Sequence, residues 1–432
     1  MTVSSGRLLG ITLASAAFLC GCRDKCDTTY TYKSYEPVYS TVAEVRNGVD
    51  FKEAEEIGVP GKIYLFGPYL FINEIGKGIH IIDNTNPSAP VNQAFLAIPG
   101  NYDLAAKDHS LYADSYIDLL VFDISNVNEI QLKKRLEGVF QDSYDTWMSV
   151  DGSSSIITEW IETEKETVYD ECEGIWPAFM RTDNVVFMYG AADVAIGNYS
   201  NNSVAPGGSN SGIGGSMARF TVVNDVLYTV GSSRLTVFDV YNSPDPLLKS
   251  TVDIGWGIET IFPYENNLFI GSQNGMHIYN VSEPELPEYI STFAHVSSCD
   301  PVVVNDTVAF VTLRSGNACQ GFTNQLDVID IKDLHSPALI KTYPMLNPHG
   351  LGLDGTTLFL CEGSYGLKVF DISDILNIDD HLLKFYDEFD AFDVIPHNEV
   401  LIMIGNDGLY QFDYSDIQNI SWMSRIDIVQ PL

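Results

Sequence analysis

Seven short segments share one ending: Gly78-Ile-His-Ile-Ile-Asp83, Leu119-Leu-Val-Phe-Asp123, Leu235-Thr-Val-Phe-Asp239, Met276-His-Ile-Tyr-Asn280, Leu326-Asp-Val-Ile-Asp330, Leu367-Lys-Val-Phe-Asp371 and Leu409-Tyr-Gln-Phe-Asp413. Each is a run of β-branched, aliphatic and aromatic residues closed by Asp or Asn, the composition of a strand that leaves a sheet into a turn. A single Asp at such a place would invite a functional reading; seven similar copies do not. A carboxylate there accepts hydrogen bonds from backbone N–H groups of the next turn, so its expected role is structural. Proline-containing loops often follow, as at Pro87 and Pro90, Pro244 and Pro246, Pro284 and Pro287, and Pro337.

Upstream of these endings lie hairpins. Phe220-Thr-Val-Val-Asn-Asp-Val-Leu-Tyr228, Pro301-Val-Val-Val-Asn-Asp-Thr-Val-Ala-Phe310 and Gly350-Leu-Gly-Leu-Asp-Gly-Thr-Thr-Leu-Phe359 each place Asn-Asp or Asp-Gly between two apolar runs. Those residues tolerate the positive φ of a tight turn. Turns fall near Gly67, Lys107, Asp151, Asn224, Glu265, Asn305, Asp354 and His397, at successive spacings of 40, 44, 73, 41, 40, 49 and 43 residues. Six of those spacings match a four-stranded propeller blade of about 40–50 residues, and the longest contains an insertion. The fold class predicted is therefore all-β, a β-propeller of four-stranded blades. Eight turns predict eight blades with the third, about residues 144–215, degenerate; seven is the alternative. Closure of the ring should bring Lys62–Phe66 near the last strands, around Trp422–Val429.

The strand consensus resembles the LVIVD repeat, found in bacterial lipoproteins and especially those of Bacteroidetes. The block from Gly61-Lys-Ile-Tyr64 through Lys77-Gly-Ile-His-Ile-Ile-Asp-Asn84 to Leu111-Tyr-Ala-Asp-Ser-Tyr116 carries the likeness most clearly, and the similarity extends over about residues 60–430. It implies the propeller fold. It implies no catalytic residues, since propellers serve enzymes, receptors and scaffolds alike.

The N-terminus points to the same class. Arg7 precedes an apolar run, Leu8–Leu19, of signal-peptide length. That run ends in Leu19-Cys20-Gly21-Cys22, which resembles a lipobox, although Cys20 stands where Ala, Ser or Thr is commoner. Cleavage before Cys22 would leave that thiol to carry the lipid, and several acyl chains on one residue make a firm tether. The expected organisation is a signal peptide at 1–21, a tether or stalk at 22–44, and a single propeller at 45–432 with an insertion at about 162–216. The expected location is the cell envelope, anchored to the outer membrane, with the side left open. Within the insertion, Pro206-Gly-Gly-Ser-Asn-Ser-Gly-Ile-Gly-Gly215 cannot bury enough apolar surface to order itself, so it reads as a flexible loop or as a lid over one face.

A hydrophobic content of 45% and an aromatic content of 12% suffice for a large core. The formal net charge of −35 argues against a nucleic-acid partner, because phosphates are neutralised by Lys and Arg. The acidity reads as solubility or, more sharply, as a cation site. Cys299 and Cys319 bracket one hairpin in an oxidising compartment and form the disulfide candidate. The sequence has no Cys-x-x-Cys pair, His-Glu-x-x-His helix, Gly-x-Ser-x-Gly elbow or phosphate-binding glycine loop.

In a propeller the first strand of each blade lines the central channel. Residues about four to six before each turn should therefore converge at its mouth: Asp103, Asp145, Arg219, Glu259, Asp300, His349, and Asp390 or Asp393. Carboxylates gathered there raise one another's pKa unless something positive joins them. Arg219 is the internal candidate, and a divalent cation is the candidate cofactor. The leading functional expectation is a lipid-anchored envelope binding or interaction module, with an envelope protein or glycan as its ligand. The alternative is an envelope enzyme with its site at the channel mouth, and a purely structural envelope component is a third reading.

Overall fold

The computed structural model describes residues 27–140, 146–148, 154–170, 211–294, 301–315 and 323–429. These fall into two compact units, one within residues 37–160 and 187–432 and one within 1–36 and 161–186.

The larger unit is a β-propeller of seven blades, each built on four antiparallel strands from a continuous piece of chain, with two further strands joining the sheet of blade 1. The blades begin with the strands Pro60–Phe66, Leu104–Lys107, Phe220–Val223, Ile258–Tyr264, Val302–Asn305, Leu351–Asp354 and Asp393–His397, and these innermost strands neighbour one another around the channel. Each then runs outward through three more strands, for example Val400–Ile404, Gly408–Asp413 and Ser421–Asp427 in blade 7. The expected eighth blade is absent among the described residues. The hairpin signal near Asp151 is genuine, since Thr146–Met148 pairs antiparallel with Ser154–Asp170 and Met148 lies opposite Ser154. The second strand of that hairpin, however, pairs on its other edge with Asp27–Thr41, giving a three-stranded ribbon with no third strand ending in Asp.

The repeated terminal residue acts as its chemistry predicts. In every blade the N–H two residues on donates to its Oδ1: Thr85 to Asp83, Ser125 to Asp123, Tyr241 to Asp239, Lys332 to Asp330, Ser373 to Asp371 and Ser415 to Asp413 at 2.9 Å, and Ser282 to Asn280 at 3.0 Å. These are Asx turns that stop one strand and aim the next. The inner hairpins turn on positive φ at Gly67, Asp108, Asn224, Glu265, Asp306, Gly355 and Asn398.

Between sheets the core is aromatic and aliphatic, with Phe71, Tyr112, Phe238, Phe269, Phe310, Phe359 and Tyr410 each fully buried in a different blade. Blades 7 and 1 close the ring through a shared core that includes Ile63, Leu65, Ile395, Ile402 and Ile428. A reciprocal amide pair adds to it: Asn84 Nδ2 donates to Gln411 Oε1 at 2.9 Å, and Gln411 Nε2 to Asn84 Oδ1 at 2.7 Å. Closure thus joins the segments expected to meet.

Part of the segment expected to be a tether is regular structure. Asp27–Thr41 is a strand, and the helix Val42–Asn47 follows it. Asp50–Glu53 then adds an outermost strand to blade 1. Of the insertion, residues 171–210 lie outside the described residues. Its glycine-rich end enters the channel, where Ile213–Gly214 pairs with the inner edge of Pro60–Phe66 and the Gly212 N–H donates to Ala106 O at 3.2 Å. A Cβ on Gly212 would stand 2.2 Å from the Tyr64 ring, so the close approach requires glycine. Among the described residues no helix is long and apolar enough to cross a membrane.

Candidate functional site

All seven inner strands start at one face and end in hairpins at the other. Near their starts the blades bring seven side chains together in sequence around the channel: Asp393, Lys62, Asp103, Arg219, Glu259, Arg314 and His349. Their formal charges alternate up to the final histidine.

Lys62 and Asp103 form an ion pair, their side chains only 4% and 3% exposed. Asp103 also accepts the backbone N–H groups of Arg219 and Leu104. The Arg219 guanidinium reaches onward to blade 4, donating to Glu259 O at 3.3 Å and Ile258 O at 3.4 Å. Glu259 acts electrostatically on Arg314. Arg314 Nη1 lies 3.0 Å from His349 Nδ1 and 2.9 Å from its Nε2. The His349 ring packs at 4.9 Å, tilted by 56°, against Phe392, next to Asp393. Asp393 feels the charge of Lys62, which completes the circle.

Burial dominates the electrostatics. It lowers the Lys62 ammonium, opposed by Asp103, and brings Arg314 down to about 10, opposed by Glu259. It also lowers His349 well below the ordinary imidazole value, assisted by the neighbouring Arg314. The ring is therefore neutral at physiological pH and accepts from the guanidinium. Asp393 is fully buried and raised well above the carboxylate range, against the pull of Lys62. Its Oδ1 accepts the Val394 N–H at 3.0 Å, and its Oδ2 has no hydrogen-bond partner among the described residues. Behind the pair stands Asp114, whose Oδ1 accepts from Asn101 Nδ2 at 2.8 Å and from the N–H groups of Tyr102 and Asp103 at 2.8 and 2.9 Å. Burial nevertheless pushes Asp114 up to about 6.

Of the residues predicted from sequence, Asp103, Arg219, Glu259 and His349 stand in this circle. Asp145 and Asp300 lie outside the described residues, as do Cys22, Cys299 and Cys319. Asp390 sits half-buried in the loop before the inner strand, raised by burial and bonded to Asn406, while Asp393 occupies the ring position. Sequence reasoning missed Lys62, although the rule that picked Asp103 selects it too, five residues before the turn at Gly67. Arg314 was not accessible to that rule, because it follows the second strand of its blade. Arg219 bridges blades through backbone carbonyls rather than through carboxylates. Among the described residues no group of three or more His, Cys, Asp or Glu side chains could hold a metal ion. The arrangement instead presents polar groups of both signs, with Lys62 paired to Asp103 and Arg314 bonded to His349.

The family comparison bears on the scaffold. The model described as LVIVD repeat matches residues 58–94 and 315–344, within blade 1 and across the outer half of blade 5. The chain carries LVIVD repeats. Their matched endings include Asp83 and Asp330, two of the Asx-turn residues described above. No curated protein matches the chain. Among solved structures, a protein from Lactobacillus plantarum is 13% identical over 86% of this chain and 97% of that one, with a TM-score of 0.53. BamB from Moraxella catarrhalis is 7% identical, covering 88% and 97%, with a TM-score of 0.45. The computationally designed Ika8 protein is 9% identical, covering 88% and 91%, with a TM-score of 0.49. At 13% identity the first of these shows the fold alone.

Proposed function

We propose that this LVIVD-repeat propeller is a lipid-anchored binding module of the cell envelope, docking an envelope protein on the face that carries the charge circle. In this reading Cys22 holds the lipid, the outer membrane is the site of anchoring, a Cys299–Cys319 disulfide braces the loop at blade 5, and nucleic acid is not a partner.

The observation that carries the proposal is Trp256. It is 60% exposed on the loop entering blade 4, between Gly255 and Gly257 at φ of 117° and 81°, and three residues from Glu259. Tyr365 and Leu346, 49% and 47% exposed, stand on loops of the same face at blade 6. Exposed Trp and Tyr beside a rim of paired charges are the residue types that dominate binding energy at protein interfaces. The paired charges add register and specificity more than affinity.

Photo-crosslinking in cells tests the proposal. A photoreactive residue at position 256 should give a discrete crosslinked species, which the same residue at Tyr241 on the opposite face does not. Equal labelling from both positions, or none from 256, would sink the idea.

A further inference from the structure

At the opposite ends of the same inner strands, among blades 4 to 7, lies a cavity of about 400 Å³. It is separated from the charge circle by the length of a strand: Asp393 and His397 are four steps apart, about 13 Å. Tyr264, Asn305, Asp354, His397, Asn398 and Tyr414 line it.

Their hydrogen bonds define what the cavity offers. Tyr264 Oη accepts the Asp306 N–H at 2.9 Å, which leaves its own O–H to donate. Tyr414 donates to Asp354 Oδ2 at 2.8 Å, so Oδ1 of that exposed carboxylate remains an acceptor. Asn398 Nδ2 lies 2.8 Å from His397 Nε2. Burial lowers the His397 pKa, opposed by Asp354, so the imidazole is neutral, accepts from Asn398 at Nε2 and carries its proton on Nδ1. Asn305 donates one amide hydrogen to Gly355 O at 2.9 Å, and its second hydrogen and carbonyl oxygen remain.

The cavity thus combines two phenol rings, the Tyr264 and His397 donors, the amide groups of Asn305 and Asn398 and a single carboxylate. An anion would meet that carboxylate unpaired. An organic cation would use the acceptors and the ring faces but leave the Tyr264 and His397 donors unmatched. A neutral sugar matches the whole set, because each hydroxyl both donates and accepts while its C–H face packs on an aromatic ring. The volume lies at the small end of the range of small-molecule sites.

We propose that this cavity binds a neutral saccharide unit, of mono- or disaccharide size, independently of the docking face on the other side. The test is saturation-transfer NMR on the full chain with glucose, galactose, mannose and N-acetylglucosamine, and with choline as the cationic probe. At least one sugar should bind. Asp354→Ala, which changes an exposed side chain, should weaken it by about tenfold or more, as should Tyr264→Leu, because hydrogen bonds to charged and desolvated groups are lost. Trp256→Ala, on the opposite face, should leave sugar binding unchanged, so failure of the docking proposal and failure of this one read out separately. No sugar binding, sugar binding indifferent to both cavity variants, or choline binding alone would each overturn the assignment.

Discussion

The Lys62 ammonium on blade 1 and the Asp103 carboxylate on blade 2 form an ion pair almost wholly removed from solvent. Two charges out of water are tolerated because each is paired and Asp103 also collects two backbone N–H groups. Such a pair joins neighbouring blades in one register more than it adds net stability.

Breaking the pair from one side should therefore be severe. Lys62→Met leaves Asp103 charged and buried, which costs about 3–5 kcal/mol. Lys62→Met with Asp103→Leu should recover much of that loss, since a well-packed apolar pair is often neutral. Urea denaturation of the two variants checks the expectation; a double variant as unstable as the single one would contradict it.

The stability of the propeller should depend on pH with two opposing slopes. Asp114, pushed by burial up to about 6 from 3.8, holds a proton in the folded chain that the unfolded chain has released. Its contribution is thus greatest below pH 4 and falls as pH rises through 6, by about 2–3 kcal/mol at 1.4 kcal/mol per unit. Glu74 runs the other way: burial opposes its ionisation, yet hydrogen bonds from His80 and Lys77 prevail and bring it to about 2. Its stabilisation is present above pH 4.5 and lost as pH falls towards 2. Asp114→Asn should flatten the loss between pH 4 and 6, and Glu74→Gln the loss below 4.5, in a series of thermal melts.

How far the sequence carried this picture depended on which signal was counted. The strand endings from Asp83 to Asp413 number seven and give the blade count directly, because only a blade's third strand needs an Asx turn into the fourth. Turn signals number eight, since the strands 146–148 and 154–170 flanking Asp151 also pair without belonging to a blade; the pairing with residues 27–41 is non-local and leaves no periodic trace. Asp103, Arg219, Glu259 and His349 were legible because inner strands start at a fixed offset from their turns. Lys62 obeyed that offset as well, five residues before Gly67, and was equally legible. Arg314 belongs to a second strand, so its place in the circle depends on packing between blades. Tyr264 and Tyr414, on different blades, meet at the cavity for the same reason.

Asn84 and Gln411 should be a fastening point of the ring. Gln411→Leu leaves the buried Asn84 amide without its reciprocal partner, at a cost of about 1–3 kcal/mol. Because the two residues share one interaction, the Asn84→Leu, Gln411→Leu double variant should cost clearly less than the sum of the singles. Strict additivity in urea melts would mean that the amide pair does not couple blades 1 and 7.

The anchor is tested by Cys22→Ala, which should move the protein from the membrane fraction to the soluble fraction. Several acyl chains at about 0.8 kcal/mol per buried CH₂ hold far more firmly than any reversible contact of an acidic protein with a membrane. Retention of the variant with the membranes would refute lipid attachment at that residue.

Asp393 is the remaining titratable member of the circle, and its protonation state sets the sign of the last expectation. Its side chain is fully buried, and Oδ2 finds no donor among the described residues. Burial raises it well above 3.8, with Lys62 pulling the other way. The folded chain then keeps a proton that the unfolded chain gives up, so the parent protein loses stability steadily as pH rises above that ordinary value. Asp393→Asn removes the titration while retaining a carbonyl oxygen for the Val394 N–H. The melting temperature of the variant relative to the parent should therefore climb as pH rises above 3.8. If Asp393 were instead ionised and held by Lys62, its pKa would lie below the unfolded value. The variant would then be the weaker protein at pH 8, and the difference would shrink only as the carboxylate became protonated near pH 4. The two cases give opposite results at neutral pH, and one series of melts on two proteins decides between them.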